Sequence, residues 1–137
     1  MSILHPVISM IILTLLVAIR LGYFAISSVF RGKVHIKQLR VYEGEFPTNY
    51  KSARQHYKNM FEMPILFYLL CTLLLINNNY TQLDLVLAWG FVIFRVLHSI
   101  VRIQNRDVNL RFGAFTGSFI MLVCGWVTFS LKYLYGY

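Results

Sequence analysis

Polar side chains that could bind a charged ligand occur in two short stretches of an otherwise apolar chain. In the first, Asn59 and Glu62 are three residues apart and would share one face of a helix. In the second, Arg95, His98 and Arg102 follow one another at helical spacing, so they would form a single polar stripe. An amide, a carboxylate, an imidazole and several cations together suit a small polyanion that carries one ammonium group.

The elements that must position these residues are membrane helices. The chain has 137 residues, of which 58% are hydrophobic and only 13% charged, and its mean hydropathy is +0.60. Such a composition excludes an ordinary soluble domain. Hydropathy predicts a single domain over residues 1–137 with four spans, each near the ~20 residues that a bilayer requires. The expected spans are about 6–30, 50–76, 83–103 and 112–134. The predicted fold is therefore all-α, an integral membrane four-helix bundle.

Several other classes of function are disfavoured. The net charge is +8, but no nucleic-acid-binding motif accompanies it, so no nucleic-acid partner is expected. Cys71 and Cys124 both lie in apolar runs, which favours free thiols. No second ligand stands at metal-binding distance from His98, so no metal site is predicted.

Basic residues are distributed unevenly between the spans. Residues 31–58 carry seven basic side chains against two acidic ones, residues 102–111 carry three arginines, and residues 77–82 carry no basic residue. The positive-inside rule then predicts that the loops 31–49 and 104–111 are cytoplasmic and that both termini are outside. The short loops favour a bacterial inner membrane.

The second span is unusual because its strictly apolar part, residues 63–76, has only fourteen residues. The polar turn 55–62 must then enter the membrane, and Pro64 predicts a kink. Two interpretations of Glu62 remain open. It could pair with Lys58 at a wet helix end, or it could face the bundle interior and hold a partner or ligand.

The position of Arg95 favours the second interpretation. It lies about a dozen residues into its span, too deep to reach water easily, and so it needs an anionic partner. We predict a structural ion pair between Glu62 and Arg95, with Arg20 of the first span competing for the same carboxylate. Glutathione and a phospholipid headgroup both fit this set of polar groups, and the composition alone does not choose between them.

The order and spacing of three motifs provide that choice. Asn59-Met60-Phe61-Glu62-Met63-Pro64 opens the second span, Arg95-Val96-Leu97-His98-Ser99 lies in the third, and Arg111 opens the fourth. This arrangement resembles the MAPEG family, the membrane-associated proteins in eicosanoid and glutathione metabolism. The likeness covers nearly the whole chain and points to a divergent branch of the family.

The resemblance implies a homotrimer that binds glutathione between subunits near the cytoplasmic face, with a lipophilic second substrate supplied by the membrane. It implies that Arg111 is the catalytic residue that stabilises the glutathione thiolate. The expected glutathione-binding residues are Lys58, Asn59, Glu62, His98, Arg102 and Arg106. Several positions depart from the family pattern. Gln55 replaces an arginine, Arg102 replaces a common tyrosine, and Phe112 and Phe115 occupy places where some members have a polar contact.

Three classes of function follow. The first is a microsomal-type glutathione transferase or peroxidase that acts on a lipophilic electrophile or lipid hydroperoxide. The second is a catalytically inactive scaffold with the same fold that binds lipid or glutathione. The third, a small multidrug-type transporter, is disfavoured because it needs a carboxylate in the first helix, where this chain has Arg20.

Overall fold

The computed structural model describes residues 2–104 and 106–136, and every regular element among them is helical. The helices are, in chain order, α1 (Leu4–Phe30), α2 (Ile36–Val41), α3 (Thr48–Glu62), α4 (Pro64–Ile76), α5 (Gln82–Gln104) and α6 (Val108–Tyr135). The predicted all-α class is confirmed.

Four segments are long and apolar enough to cross a membrane, as the sequence predicts: α1, α3 with α4, α5, and α6. The shortest, α5, has 23 residues and rises about 34 Å, more than the ~30 Å of a hydrocarbon core. The short helix α2, between the first two spans, was not predicted. The fourth span begins at Val108 rather than near residue 112, so Arg111 lies in the first turn of α6.

The kink predicted at Pro64 is present as a break between two helices. The first helix, α3, ends at Glu62, Met63 forms a bend, and α4 begins at Pro64. Proline is tolerated there because the first turn of a helix has no use for its missing N–H. The second span therefore consists of a polar helix followed by an apolar one.

The residues fall into two compact units, one comprising 12–61 and the other comprising 2–11 with the described residues from 62 onward. In the unit 12–61, α3 buries one face, formed by Tyr50, Ala53, His56 and Met60. Their spacing of three to four residues is that of a helical stripe.

In the other unit, α5 and α6 pack against each other in antiparallel directions. Gly90 of α5 contacts Met121, whereas Phe94, one turn later on α5, contacts Gly117, one turn earlier on α6. A Cβ atom on Gly117 would lie 2.6 Å from the Phe94 ring. Only glycine allows this approach, as is common where membrane helices pack closely.

The helix α4 completes this packing. Phe67 of α4 stacks on Phe91 of α5 with ring centroids 4.5 Å apart. Gly125 of α6 lies so close to Leu70 that a Cβ atom there would come within 2.8 Å of the leucine. Rings and glycines thus interlock α4, α5 and α6 along this part of their interface.

An ion pair ties the beginning of α5 to the end of α6. The Asp84 carboxylate is buried and pairs with the Lys132 ammonium. It also accepts hydrogen bonds from the Thr81 backbone N–H at 2.6 Å and from the Thr81 hydroxyl at 2.8 Å. The Thr128 hydroxyl lies 3.5 Å from its other oxygen. Asp84 and Lys132 therefore compensate each other's charge at this end of the two helices.

We predict that Asp84→Asn and Lys132→Met are each strongly destabilising, because each leaves one charge of the pair without its partner. Each single substitution should lower the free energy of unfolding by about 3 kcal/mol, and the double substitution should cost less than their sum. Equilibrium unfolding in mixed detergent micelles would measure both, with Ser130→Ala on the same helix as the control. Additive losses would show that the two residues do not stabilise each other.

Candidate functional site

The opposite end of α5 carries the polar stripe that the sequence predicts. Arg95, His98 and Arg102 lie on one face of the helix, and their exposed fractions are 0%, 3% and 8%. Ser99 beside them is also buried. Two guanidinium groups and an imidazole are thus held within the protein on a single helix, where water cannot screen their charges.

The first turns of α6 complete this group. Asp107 caps the helix by accepting hydrogen bonds from the backbone N–H groups of Asn109 at 2.9 Å and Leu110 at 3.0 Å. This cap fixes where α6 begins and so places Arg111, which is half-buried, in the first turn. One turn later, the Phe115 ring lies 6.1 Å from the His98 ring.

His98 lies within electrostatic range of three guanidinium groups. The charges of Arg95, Arg102 and Arg111 all act electrostatically on the imidazole. We call Arg95, His98, Arg102 and Arg111 the arginine cluster. It concentrates positive charge on buried and half-buried side chains, an arrangement that favours an anionic ligand.

Glu62 is the carboxylate that acts on this cluster. Its charge interacts with that of Arg95, as expected for neighbouring groups of opposite sign. Its side chain is exposed at the surface of the single chain. The direct ion pair between Glu62 and Arg95 stays a prediction.

Three further ligand residues are predicted from the sequence. Lys58 is exposed and Asn59 half-buried, both on α3 in the unit 12–61. Arg106 is exposed in the connection that precedes α6. The structure therefore brings together Glu62, Arg95, His98, Arg102 and Arg111, and leaves the roles of the other three residues as predictions.

The sequence analysis missed the partner of Arg20. His56 on α3 is completely buried, and its Nδ1 lies 3.4 Å from the Arg20 guanidinium. A guanidinium can only donate, so Nδ1 accepts and the imidazole is neutral in this contact. Arg20 also lies over the Phe24 ring, 5.4 Å from its centroid. The expected competition of Arg20 with Arg95 for Glu62 stays a prediction. The sequence places His56 one helical turn before Asn59, but it does not show the pairing with Arg20.

Among residues 2–104 and 106–136, no group of three His, Cys, Asp or Glu side chains is arranged to hold a metal ion. The polar groups of the site are the guanidinium groups of the arginine cluster, the His98 imidazole and the Glu62 carboxylate.

A comparison with protein-family models places these features in a known family. The model of the MAPEG family matches residues 3–130, nearly the whole chain. Comparisons with curated proteins and with solved structures give no match. The family match agrees with the four helices that are able to cross a membrane and with the order of the three motifs along the chain. This chain is a multi-pass membrane protein that belongs to the MAPEG family.

Proposed function

We propose that this protein is a glutathione-dependent membrane transferase or peroxidase that acts on a lipophilic electrophile or a lipid hydroperoxide. One observation carries the proposal: three guanidinium groups lie within electrostatic range of His98 at one end of α5, and the Glu62 carboxylate acts on one of them, Arg95. Membership of a family with glutathione-dependent members supports the choice of ligand.

The charges of glutathione fit this group. A ligand that brings negative charge would interact favourably with this concentration of positive charge. Two carboxylates would neutralise Arg102 and Arg106, while the ammonium group would face Glu62. Asn59 and Lys58 would hold the peptide part and His98 would donate or accept one hydrogen bond. These assignments are part of the proposal.

Arg111 is the proposed catalytic residue. A free thiol has a pKa of about 8.5, so only a few per cent is ionised at neutral pH. Glutathione, when bound, supplies the sulfur nucleophile. A guanidinium beside that sulfur would favour the thiolate, and it would not lose its own proton. Arg111 is suited to this task because it is half-buried and fixed by a capped helix turn.

The proposal includes a homotrimer. Many large apolar side chains are exposed on the single chain, which suits lipid and neighbouring subunits. A lipophilic substrate dissolved in the bilayer would reach a crevice between subunits from the membrane side.

One observation favours the alternative of an inactive scaffold that binds glutathione or lipid. Gln55, at the position where the family resemblance implies an arginine, is exposed and uncharged.

We predict that Arg111→Leu keeps much of the glutathione affinity but loses the ultraviolet thiolate absorption and lowers kcat about 10²–10³-fold, as expected for a lost electrostatic stabiliser. Binding would be measured by calorimetry and turnover with a model electrophile. The matched control is Arg106→Leu, which removes one exposed arginine from the adjacent connection and should change affinity without changing the thiolate signal. If Arg111→Leu retains both signal and turnover, Arg111 is only a membrane anchor.

For Glu62 and Arg95 we predict energetic coupling. Because the Arg95 side chain is fully buried, Glu62→Gln would remove the opposite charge, at a cost of about 3–5 kcal/mol in unfolding free energy. The double substitution Glu62→Gln with Arg95→Leu should cost clearly less than the two single substitutions added. A double-mutant cycle in detergent measures the difference, and a coupling energy near zero would remove the pair from the site.

The orientation in the membrane is tested by labelling. Lys37→Cys should react with an impermeant maleimide only from the cytoplasmic side, and Asn79→Cys only from outside, because basic connections stay in the cytoplasm. Both substitutions would be made in a Cys71→Ala, Cys124→Ala background, which serves as the unlabelled control. Reversed accessibility would contradict the proposed position of the site near the cytoplasmic face.

A further inference from the structure

A groove of about 620 Å³ lies along α3 within the unit 12–61, separate from the arginine cluster in the other unit. We call it the α3 groove. Five aromatic and three basic residues line it, together with Leu21 and Gln55. The aromatic residues are Tyr42, Phe46, Tyr50, Tyr57 and Phe61, and the basic ones are Lys51, Arg54 and Lys58.

The three basic residues of the α3 groove lie on one face of the helix, since Lys51, Arg54 and Lys58 follow at steps of three and four. All three are exposed. None of the described residues that line the groove is acidic. Glu43 and Glu45 belong to the same connection but lie outside the lining. The lining of the groove therefore carries three positive side chains and no negative one.

Aromatic contacts hold the central cation in place. The Arg54 guanidinium lies over the Tyr42 ring, 3.9 Å from its centroid. Tyr42 has a φ of 58°, a left-handed conformation that is uncommon for a tyrosine. The rings of Phe46 and Tyr50 pack 5.1 Å apart beside it. The left-handed conformation of Tyr42 ends α2, where its backbone N–H donates to the Gln38 carbonyl oxygen, and the ring lies under the guanidinium.

The position of the groove along α3 indicates at which level of the membrane it lies. Lys51 and Arg54 stand in the first two turns of α3, before the apolar stretch of the span. Next to them along the chain, α2 exposes Ile36 and Val41 at 72% and 59%. Exposed apolar residues among basic ones are typical of segments that lie at the headgroup level of a bilayer.

We propose that the α3 groove binds the headgroup of an anionic phospholipid, with the phosphate between Lys51 and Arg54 and the first part of an acyl chain against Phe61 and Leu21. Its volume is within the roughly 300–1,000 Å³ of small-molecule sites. Arg54 and Lys51 would donate charge-assisted hydrogen bonds to the phosphate oxygens. The Tyr42 ring would fix the orientation of the planar Arg54 guanidinium group.

The test is a lipid titration of the purified full chain in detergent, followed by native mass spectrometry. The probes are dioleoyl phosphatidylglycerol, dioleoyl phosphatidylcholine and soluble glycerol phosphate. We expect the anionic lipid to bind well above phosphatidylcholine. The double variant Lys51→Gln, Arg54→Gln should weaken its binding about 25-fold, roughly fivefold for each cation removed. Lys58 is left in place because it also belongs to the proposed glutathione site.

Two further variants distinguish lipid binding in the α3 groove from nonspecific electrostatic attraction between the lipid and the protein. Arg31→Gln with Lys33→Gln removes the same two charges from exposed positions outside the groove and should leave the affinity within about twofold of the parent. Tyr42→Asn keeps every charge and tolerates the left-handed backbone, but should weaken binding about threefold by releasing Arg54. Circular dichroism would confirm that each variant is folded.

Three outcomes would overturn the proposal. Equal losses in the groove variant and the Arg31, Lys33 control would mean diffuse electrostatic attraction. Competition by glycerol phosphate as strong as that of the lipid would mean a site for soluble phosphate esters. Loss of oligomer in the groove variant, with unchanged lipid affinity, would mean that another copy of the chain occupies the groove.

Discussion

The absence of water from the hydrocarbon core governs this protein, because a charge inside a span is tolerated only where the protein itself compensates it. Asp84 meets this condition within the chain, because it is balanced by Lys132 and hydrogen-bonded by Thr81. Arg20 donates to the neutral imidazole of His56, which gives the guanidinium a hydrogen bond but does not balance its charge.

The arginine cluster concentrates positive charge at the other end of α5, and that concentration is the basis of the proposed function. The two ends of α5 carry opposite kinds of site: a compensated acidic one at Asp84, and one where three guanidinium groups outnumber the carboxylate of Glu62. Glycine contacts such as that of Gly117 with Phe94 keep α5 and α6 close between the two ends. The cluster is therefore held in place by packing that involves none of its members, which is how a binding site stays formed without its ligand.

The sequence predicted what periodicity and hydropathy can report. The four spans, the break before Pro64 and the polar stripe of α5 are all visible as local patterns. The partners of buried charges are not local: Lys132 is 48 residues from Asp84 and His56 is 36 from Arg20. Pairing over such distances depends on the register of helices, which a single sequence does not specify. The groove was missed for the same reason, since Tyr42 and Arg54 lie in different elements and meet only after the chain turns at the end of α2.

The positive-inside rule counts all basic residues alike, yet their surroundings give them different chemistry. Arg54 is exposed and rests on an aromatic ring, so it keeps contact with water and suits a phosphate at the membrane surface. Arg95 is fully buried, so an anion that approaches it must leave water behind. An ordinary headgroup can remain hydrated at the first site but not at the second. The second site therefore favours a small ligand whose several charges match the cluster. Only a close match offsets the free energy that is lost when the ligand and the cluster are both removed from water.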